Sequence, residues 1–308
     1  MRKLSAILIP LILVSCNQNI EDSQETDVAE LEAVTESTPV KERVLSQEFK
    51  DYWYDSSAEI SSYDLDQVRY GENRKGTSVM VFVTEPFDKA DQIKADRSKK
   101  DNVPVLKLNA TSEFITGIYP YHVMSSTFLP LDTDHNAIKV AGSIQEWCGQ
   151  TYMQLNRNND SYQAKLLSYF QSEGNRDFVM DNQMLENQIP VQLRLGPEKM
   201  PTGELEVIPS VEFLRLKHVE SKPYKATVKL SKVEDSVYLY SVRYTNLGRT
   251  ISYKVEQNFP HRILSWIDRY NEGGEMKSSI ATLKKTIKSA YWNKNSNADQ
   301  VLRDSLAL

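Results

Sequence analysis

From Tyr224 to Ser231 the chain alternates without a break: Tyr224, Ala226, Val228 and Leu230 fall on one face, Lys225, Thr227, Lys229 and Ser231 on the other. Successive side chains of an extended strand point to opposite faces, so the pattern describes a strand with one dry and one wet side. Runs at 237–244, 250–255 and 263–267 follow, separated by turn residues such as Glu234-Asp235-Ser236 and Asn246-Leu247-Gly248. Short turns join antiparallel neighbours, which gives a meander. Many such strands must curl or close to limit their exposed edges. The expected fold is therefore mainly β: a strongly curved antiparallel meander sheet, open barrel or barrel, with one or two short helices.

The first half supports the same class. Val79 to Thr84 is apolar on both faces, as in a covered central strand, and Val105 to Leu108 is a second short run. Residues 151–155 and the alternating run from Tyr162 to Gln171 flank a polar stretch, which signals a hairpin. Helical spacing appears at Phe49, Tyr52, Trp53 and Tyr54. It recurs between Asp181 and Leu195, where Leu185, Ile189 and Leu193 share a face, Asp181 or Asn182 offers a cap, and Pro190 predicts a kink. Residues 278–288 read as a final strand and 297–306 as a short terminal helix.

The chain opens with Met-Arg-Lys, an apolar run from Leu4 to Val14, and Leu13-Val14-Ser15-Cys16. Spanning a bilayer takes about 20 apolar residues, so the run is too short for a membrane helix and has the form of a secretory signal. Residues 1–15 are expected to be a lipoprotein signal peptide, with acyl chains on Cys16 providing the membrane attachment. The expected address is the cell envelope, lipid-anchored at the outer membrane, on its periplasmic face or at the cell surface. Asn17, Gln18, Asn19, Glu21 and Asp22 resemble acidic export signals that carry lipoproteins outward.

Charge is uneven. Residues 17–48 hold nine Asp or Glu against Lys41 and Arg43, a net of −7, whereas the chain from Phe49 onward sums to zero. A polar segment without aromatic residues cannot offset its ordering entropy, so 16–48 is expected to be a lipidated flexible tether. Residues 49–308 are expected to form one β-rich domain, with a candidate sub-boundary near 175–203. A balanced body with no basic–aromatic stripe gives no reason to expect nucleic acid. With Cys16 acylated, Cys148 has no partner for an intramolecular disulfide, and it reads as a buried packing residue beside a core tryptophan.

Phe49-Lys50-Asp51-Tyr52-Trp53-Tyr54, Gln67 to Glu72, Val81 to Glu85, Gly117-Ile118-Tyr119-Pro120-Tyr121, Gln145 to Gly149, Ser168-Tyr169-Phe170, Leu214 to His218 and Ala290-Tyr291-Trp292 together resemble a family of uncharacterised predicted lipoproteins of Gram-negative bacteria. The resemblance covers the chain after the tether. Members often carry the label "septum formation inhibitor Maf". True Maf nucleotide pyrophosphatases begin with a Ser-x-Ser-Pro-Arg-Arg stretch on an α/β scaffold, and this chain has no Ser-Pro-Arg. The resemblance implies a location and an approximate fold, and it transfers no catalytic residue.

Three constellations stand out. Arg69, Glu72, Arg74 and Glu85 gather around a predicted hairpin, either as a clamp for a carboxylate or phosphate or as structural ion pairs between strands. Arg215 shares one strand face with Phe213 and Lys217, with Leu214, Leu216 and His218 opposite. Tyr119 and Tyr121, with Tyr238, Tyr240 and Tyr244, are candidates for a sugar- or lipid-binding surface. His122, His135, His218 and His261 lie too far apart to suggest a zinc site, and no cofactor motif is present. The expected function is non-catalytic binding of an apolar molecule, a glycan or an envelope protein. The alternatives are an envelope hydrolase with an acidic site near Arg69–Glu85, and a structural or assembly lipoprotein without a small ligand.

Overall fold

The computed structural model describes residues 41–97 and 99–308, so Cys16, the signal and most of the tether lie outside the described residues. The chain enters through helix α1 (Gln47–Trp53), capped by Ser46, whose Oγ accepts the Phe49 N–H at 3.1 Å. Strands β1 (Ala58–Arg69), β2 (Glu72–Asp88), the short β3 (Ile93–Lys94), β4 (Asn102–Thr116), β5 (Tyr119–Pro130), β6 (Lys139–Glu146), β7 (Gly149–Asn158), β8 (Ser161–Ser168) and β9 (Arg176–Asp181) follow. After them come β10 (Met184–Leu185), α2 (Ile189–Leu193), β11 (Gly203–Ile208) and α3 (Val211–Leu216). The chain ends with β12 (Tyr224–Glu234), β13 (Val237–Tyr244), β14 (Arg249–Glu256), β15 (Ile263–Glu272) and β16 (Glu275–Ser289), then a 3-10 helix at Asn297–Leu306. No described helix is long and apolar enough to cross a membrane.

All sixteen strands belong to one sheet, antiparallel except for the β10–β11 pair. Its path runs β10 to β16, then β1, β2 and β4 to β9, so the first and last strands sit side by side in the middle. The two ends of that path, β9 and β10, are joined by Asn182 and Gln183 alone. On a flat sheet with strands about 4.8 Å apart, the ends would be separated by roughly 65 Å. Two connecting residues reach only about 10 Å. The sheet therefore cannot be flat, and its edges come together without pairing.

The alternation read in β12 and β8 is realised. Tyr162, Ala164 and Leu166 are buried while Gln163, Lys165 and Leu167 are exposed, and Ala226 and Val228 are buried between exposed lysines. The inner face is not an empty lumen. The crossover between β9 and β12 packs onto it through Ile189, Val191, Leu193, Val211 and Leu214, all essentially inaccessible and part of one core with both halves of the sheet. An unfilled apolar concave face, the simplest basis for binding an apolar molecule, is thus replaced by a plugged one.

Three local readings differ from the structure. The segment 181–195 is not one helix: Asp181 closes β9, and Pro190 sits in the first turn of the five-residue α2, where its missing N–H costs no hydrogen bond. Arg215 lies on a helix rather than a strand, because Ser210 accepts the Phe213 N–H and starts α3. Residues ahead of Phe49 already engage the sheet: Glu42 bridges Thr133, and the Arg43 N–H donates to the Asp132 carbonyl at 2.9 Å.

Candidate functional site

Three buried arginine–glutamate pairs tie the crossover to the sheet. Arg194, at the end of α2, donates from its terminal nitrogens to both oxygens of Glu59 on β1, at 2.6 Å for Nη2, and from Nε to the Pro260 carbonyl. Its guanidinium also lies over the rings of Trp53 and Phe82. Glu186 takes two bonds from Arg249 of β14, at 2.6 and 2.7 Å, and Arg249 holds Asp268 as well. Arg215 of α3 donates to Glu173 in the β8–β9 connection at 2.8 Å. Burial drives the Glu59 carboxyl upward, but the charge and hydrogen bonds of Arg194 outweigh it and hold Glu59 below its ordinary value. Asp268 goes the other way: burial dominates and raises it despite Arg249. Beside this second pair lies a cavity of about 160 Å³, where Glu186, Glu212, Arg249 and Asp268 share the lining with apolar residues such as Met80, Leu108 and Phe114. Arg194 and Arg249 spend all their guanidinium nitrogens on these partners, and Arg215 leaves only Nε unpaired among the described residues, which makes the three pairs fasteners of the crossover.

The sequence candidates separate into two places. Arg69, Glu72 and Arg74 sit at the β1–β2 hairpin tip, where Arg74 pairs with Glu72. Glu85 lies thirteen residues further along β2 than Glu72, roughly 40 Å away on an extended strand, and there it pairs with Lys107 at 2.9 Å. The four residues do not converge, so an acidic site spanning Arg69 to Glu85 has no geometric basis. Tyr240 and Tyr244 are buried; their hydroxyls donate to the Pro201 carbonyl and Glu186. Tyr238 donates to Glu198.

Arg69, Tyr119, Tyr121 and Arg215 do come to one end of the sheet. Arg69 donates to the Leu216 carbonyl at 2.6 Å and to the Tyr121 hydroxyl at 3.2 Å, and its guanidinium lies 4.4 Å above the Tyr70 ring. The Tyr70 and Tyr121 hydroxyls meet at 2.8 Å. Tyr121 is buried and stacks on Phe114; Tyr119 leans against Tyr121 and, at 6.3 Å, against Trp147. Tyr169 packs so closely on the next tip that a Cβ added at Gly149 would stand 2.6 Å from its ring. Tyr169 in turn meets Phe170, and Phe170 meets His218, whose Nδ1 is 2.9 Å from Glu173 Oε1.

The hairpin tips β1–β2, β4–β5, β6–β7 and β8–β9 all fall at this end because each strand reverses the last. Together they form a continuous aromatic rim. Tyr70, Ile115, Ile118, Trp147 and Tyr169 are exposed on it, Ile118 by 82 % and Trp147 by 69 %. Sequence reasoning found the half that packs, Tyr119 and Tyr121, and missed the half that protrudes. The missed signal was an apolar or aromatic residue at every second turn, four in all.

Cys148 belongs to this rim and is exposed, not buried, and its neighbour Trp147 is a surface residue. The packing reading is corrected: a two-residue turn between β6 and β7 puts both side chains outside the sheet. Its N–H donates to Glu146, and hydrogen bonding and charge from that carboxylate push the thiol above its ordinary value. A thiol held protonated is a poor nucleophile. Native protein is expected to react fully with a disulfide reagent at Cys148, but more slowly at pH 8 than a free cysteine. Cys148→Ala should change stability by less than about 0.5 kcal/mol. A shielded thiol or a large stability loss would contradict this placement. Among the described residues no group of three or more His, Cys, Asp or Glu could hold a metal ion.

Comparison of the chain with protein-family models, with curated proteins and with solved structures found no match.

Proposed function

We propose that this is a lipid-anchored envelope protein that acts by non-catalytic docking of a protein partner on the aromatic rim. The observation that carries the reading is the run of exposed Tyr70, Ile115, Ile118, Trp147 and Tyr169 over adjoining hairpin tips, supported from beneath by Arg69, Tyr119 and Tyr121. Single exposed apolar residues are ordinary, whereas a contiguous patch of this kind marks an interaction surface. Tyrosine, tryptophan and arginine are also the residues that dominate binding energy at protein interfaces. The aliphatic tips distinguish the partner class: Ile115 and Ile118 offer nothing to a hydroxylated ligand. Exposed Glu72 and Glu113 give the tips no cationic excess for anionic lipid. Acylation at Cys16 supplies the address, and the rim supplies the contact.

Trp147→Ala and Tyr169→Ala are each expected to weaken partner binding by about 2 kcal/mol or more, the scale of an interface anchor. Both residues are exposed, so neither change should lower the melting temperature by more than a degree or two. Val233→Ser, an exposed apolar position on β12 away from the tips, should leave binding intact. Equal loss of binding in all three variants, or none in the rim pair, would remove the basis for the rim.

A further inference from the structure

A second concavity lies at the opposite end of the sheet from the rim. Residues 41–48 form one wall, α2 and the turn after it a second, and the β14–β15 connection a third, around a cleft of about 1150 Å³. That is somewhat above the range of about 300–1,000 Å³ in which proteins hold drug-sized ligands, and leaves room for a longer one. Its walls are rich in side-chain amides. Gln188 is used internally: its Oε1 accepts the Ala137 N–H and its Nε2 donates to Asn136. The amides of Gln183, Gln257 and Asn258 also reach the cleft, and they engage no side-chain hydrogen bond among the described residues. Gln192 lines this wall as well: its Oε1 is buried and closed to a ligand, whereas its Nε2 is neither buried nor hydrogen-bonded among the described residues and can donate into the cleft.

Charge narrows the ligand. The cationic side chains of the lining, Lys41, Arg43, Arg194 and Lys199, do not outnumber its carboxylates, and Arg194 is already neutralised by Glu59. Burial lowers His261 from its ordinary value, so it adds no positive charge at neutral pH. Lys41, Arg43 and Lys199 are offset by Glu42, Glu48, Asp134, Glu198 and Glu206, so the cleft as a whole has no cationic excess to favour a phosphate or an anionic headgroup. Apolar surface is present as well, from Leu45, Met184, Leu195 and the half-buried ring of Phe259. A ligand that satisfies both halves of this wall carries hydroxyls that donate and accept toward amides, and C–H faces that lie against a ring.

We propose that the cleft binds a neutral oligosaccharide, with Gln183, Gln192, Gln257 and Asn258 reading its hydroxyls and Phe259 receiving a sugar face. This site is independent of the rim, and either can fail without the other. The test uses the full chain in detergent against an array of neutral hexasaccharides (glucans, mannans and N-acetylglucosamine oligomers), acidic oligosaccharides, phosphatidylglycerol vesicles and a peptide of residues 17–40. At least one neutral saccharide should bind saturably. Gln192→Ala and Gln257→Ala should each weaken it about tenfold or more, as loss of a ligand hydrogen bond does, while Val233→Ser leaves it unchanged. Gln257 lies in a turn, so its replacement tests the site without threatening the fold. The proposal is overturned if no neutral saccharide binds, if binding is confined to acidic saccharides, vesicles or the peptide, or if both glutamine variants keep the parent affinity.

Discussion

Arg194→Ala is expected to destabilise the protein by about 3–5 kcal/mol, because it leaves the Glu59 carboxylate buried without its counter-charge. Glu59 and Arg194 are both almost wholly inaccessible, and they connect the start of β1 to the end of α2 across 135 positions of sequence. A domain is usually stable by only about 5–15 kcal/mol, so the loss is a large share of the total. The melting temperature should fall by on the order of 10 °C. The double replacement Glu59→Leu with Arg194→Met removes both charges and should recover much of that loss, since well-packed apolar substitutes often match a buried pair. Chemical denaturation of the parent and both variants decides the matter. A single variant as stable as the parent would mean that the pair carries no structural role.

The sign of the pH effect follows from the same pair. Glu59 is held below its ordinary value of 4.5, so its contribution is present above that pH and is lost as pH falls through the folded-state value. Acid should therefore loosen the attachment of α2 to β1.

The second large effect is Arg249→Ala, which strands two carboxylates, Glu186 and Asp268, that the parent arginine bridges. About 3–5 kcal/mol is again the expected cost at neutral pH. Its pH dependence is opposite to that of Glu59. Asp268 is already raised above its ordinary value of 3.8 by burial, and removal of Arg249 raises it further. A carboxyl with a raised folded-state value favours the fold below the unfolded value, and that contribution is lost as pH rises through the folded one. The deficit of the variant relative to the parent should accordingly shrink as pH is lowered from 7 toward 4. Unfolding measured across that range checks it, and a deficit that grew in acid would contradict the assignment.

Strands were legible where one face is wet. In β8, β12 and β14 the buried set falls on every second residue, and the turn residues between β12, β13 and β14 mark the reversals. What connects distant segments was not legible. Nothing local tells Glu59 from an exposed glutamate, because its environment is made by Arg194, Tyr52 and the rings of Trp53 and Phe82 arriving from elsewhere. The crossover was misread for a related reason: Phe213, Arg215 and Lys217 suit a strand by alternation, and only the Ser210 cap selects the helix.

The candidate site was legible in part. Arg69, Tyr119 and Tyr121 were found because aromatic residues beside arginine stand out in any sequence. Glu85 was joined to them only because β2 was read as short, whereas its seventeen residues carry Glu85 to the other end of the sheet. Trp147 and Tyr169 escaped because exposure at a hairpin tip depends on which end each turn occupies. That order is a property of the whole meander, and the same order makes a rim from four separate turns.

The central claim, docking of a protein partner on that rim, is tested most directly by photo-crosslinking in living cells, with a benzophenone amino acid placed at Tyr169 or, as a control, at Val233. The account predicts a discrete crosslinked species of one added mass from position 169 and none from 233, and its disappearance when Trp147→Ala is combined with the probe. No adduct from position 169, or the same adduct from both positions, would contradict it.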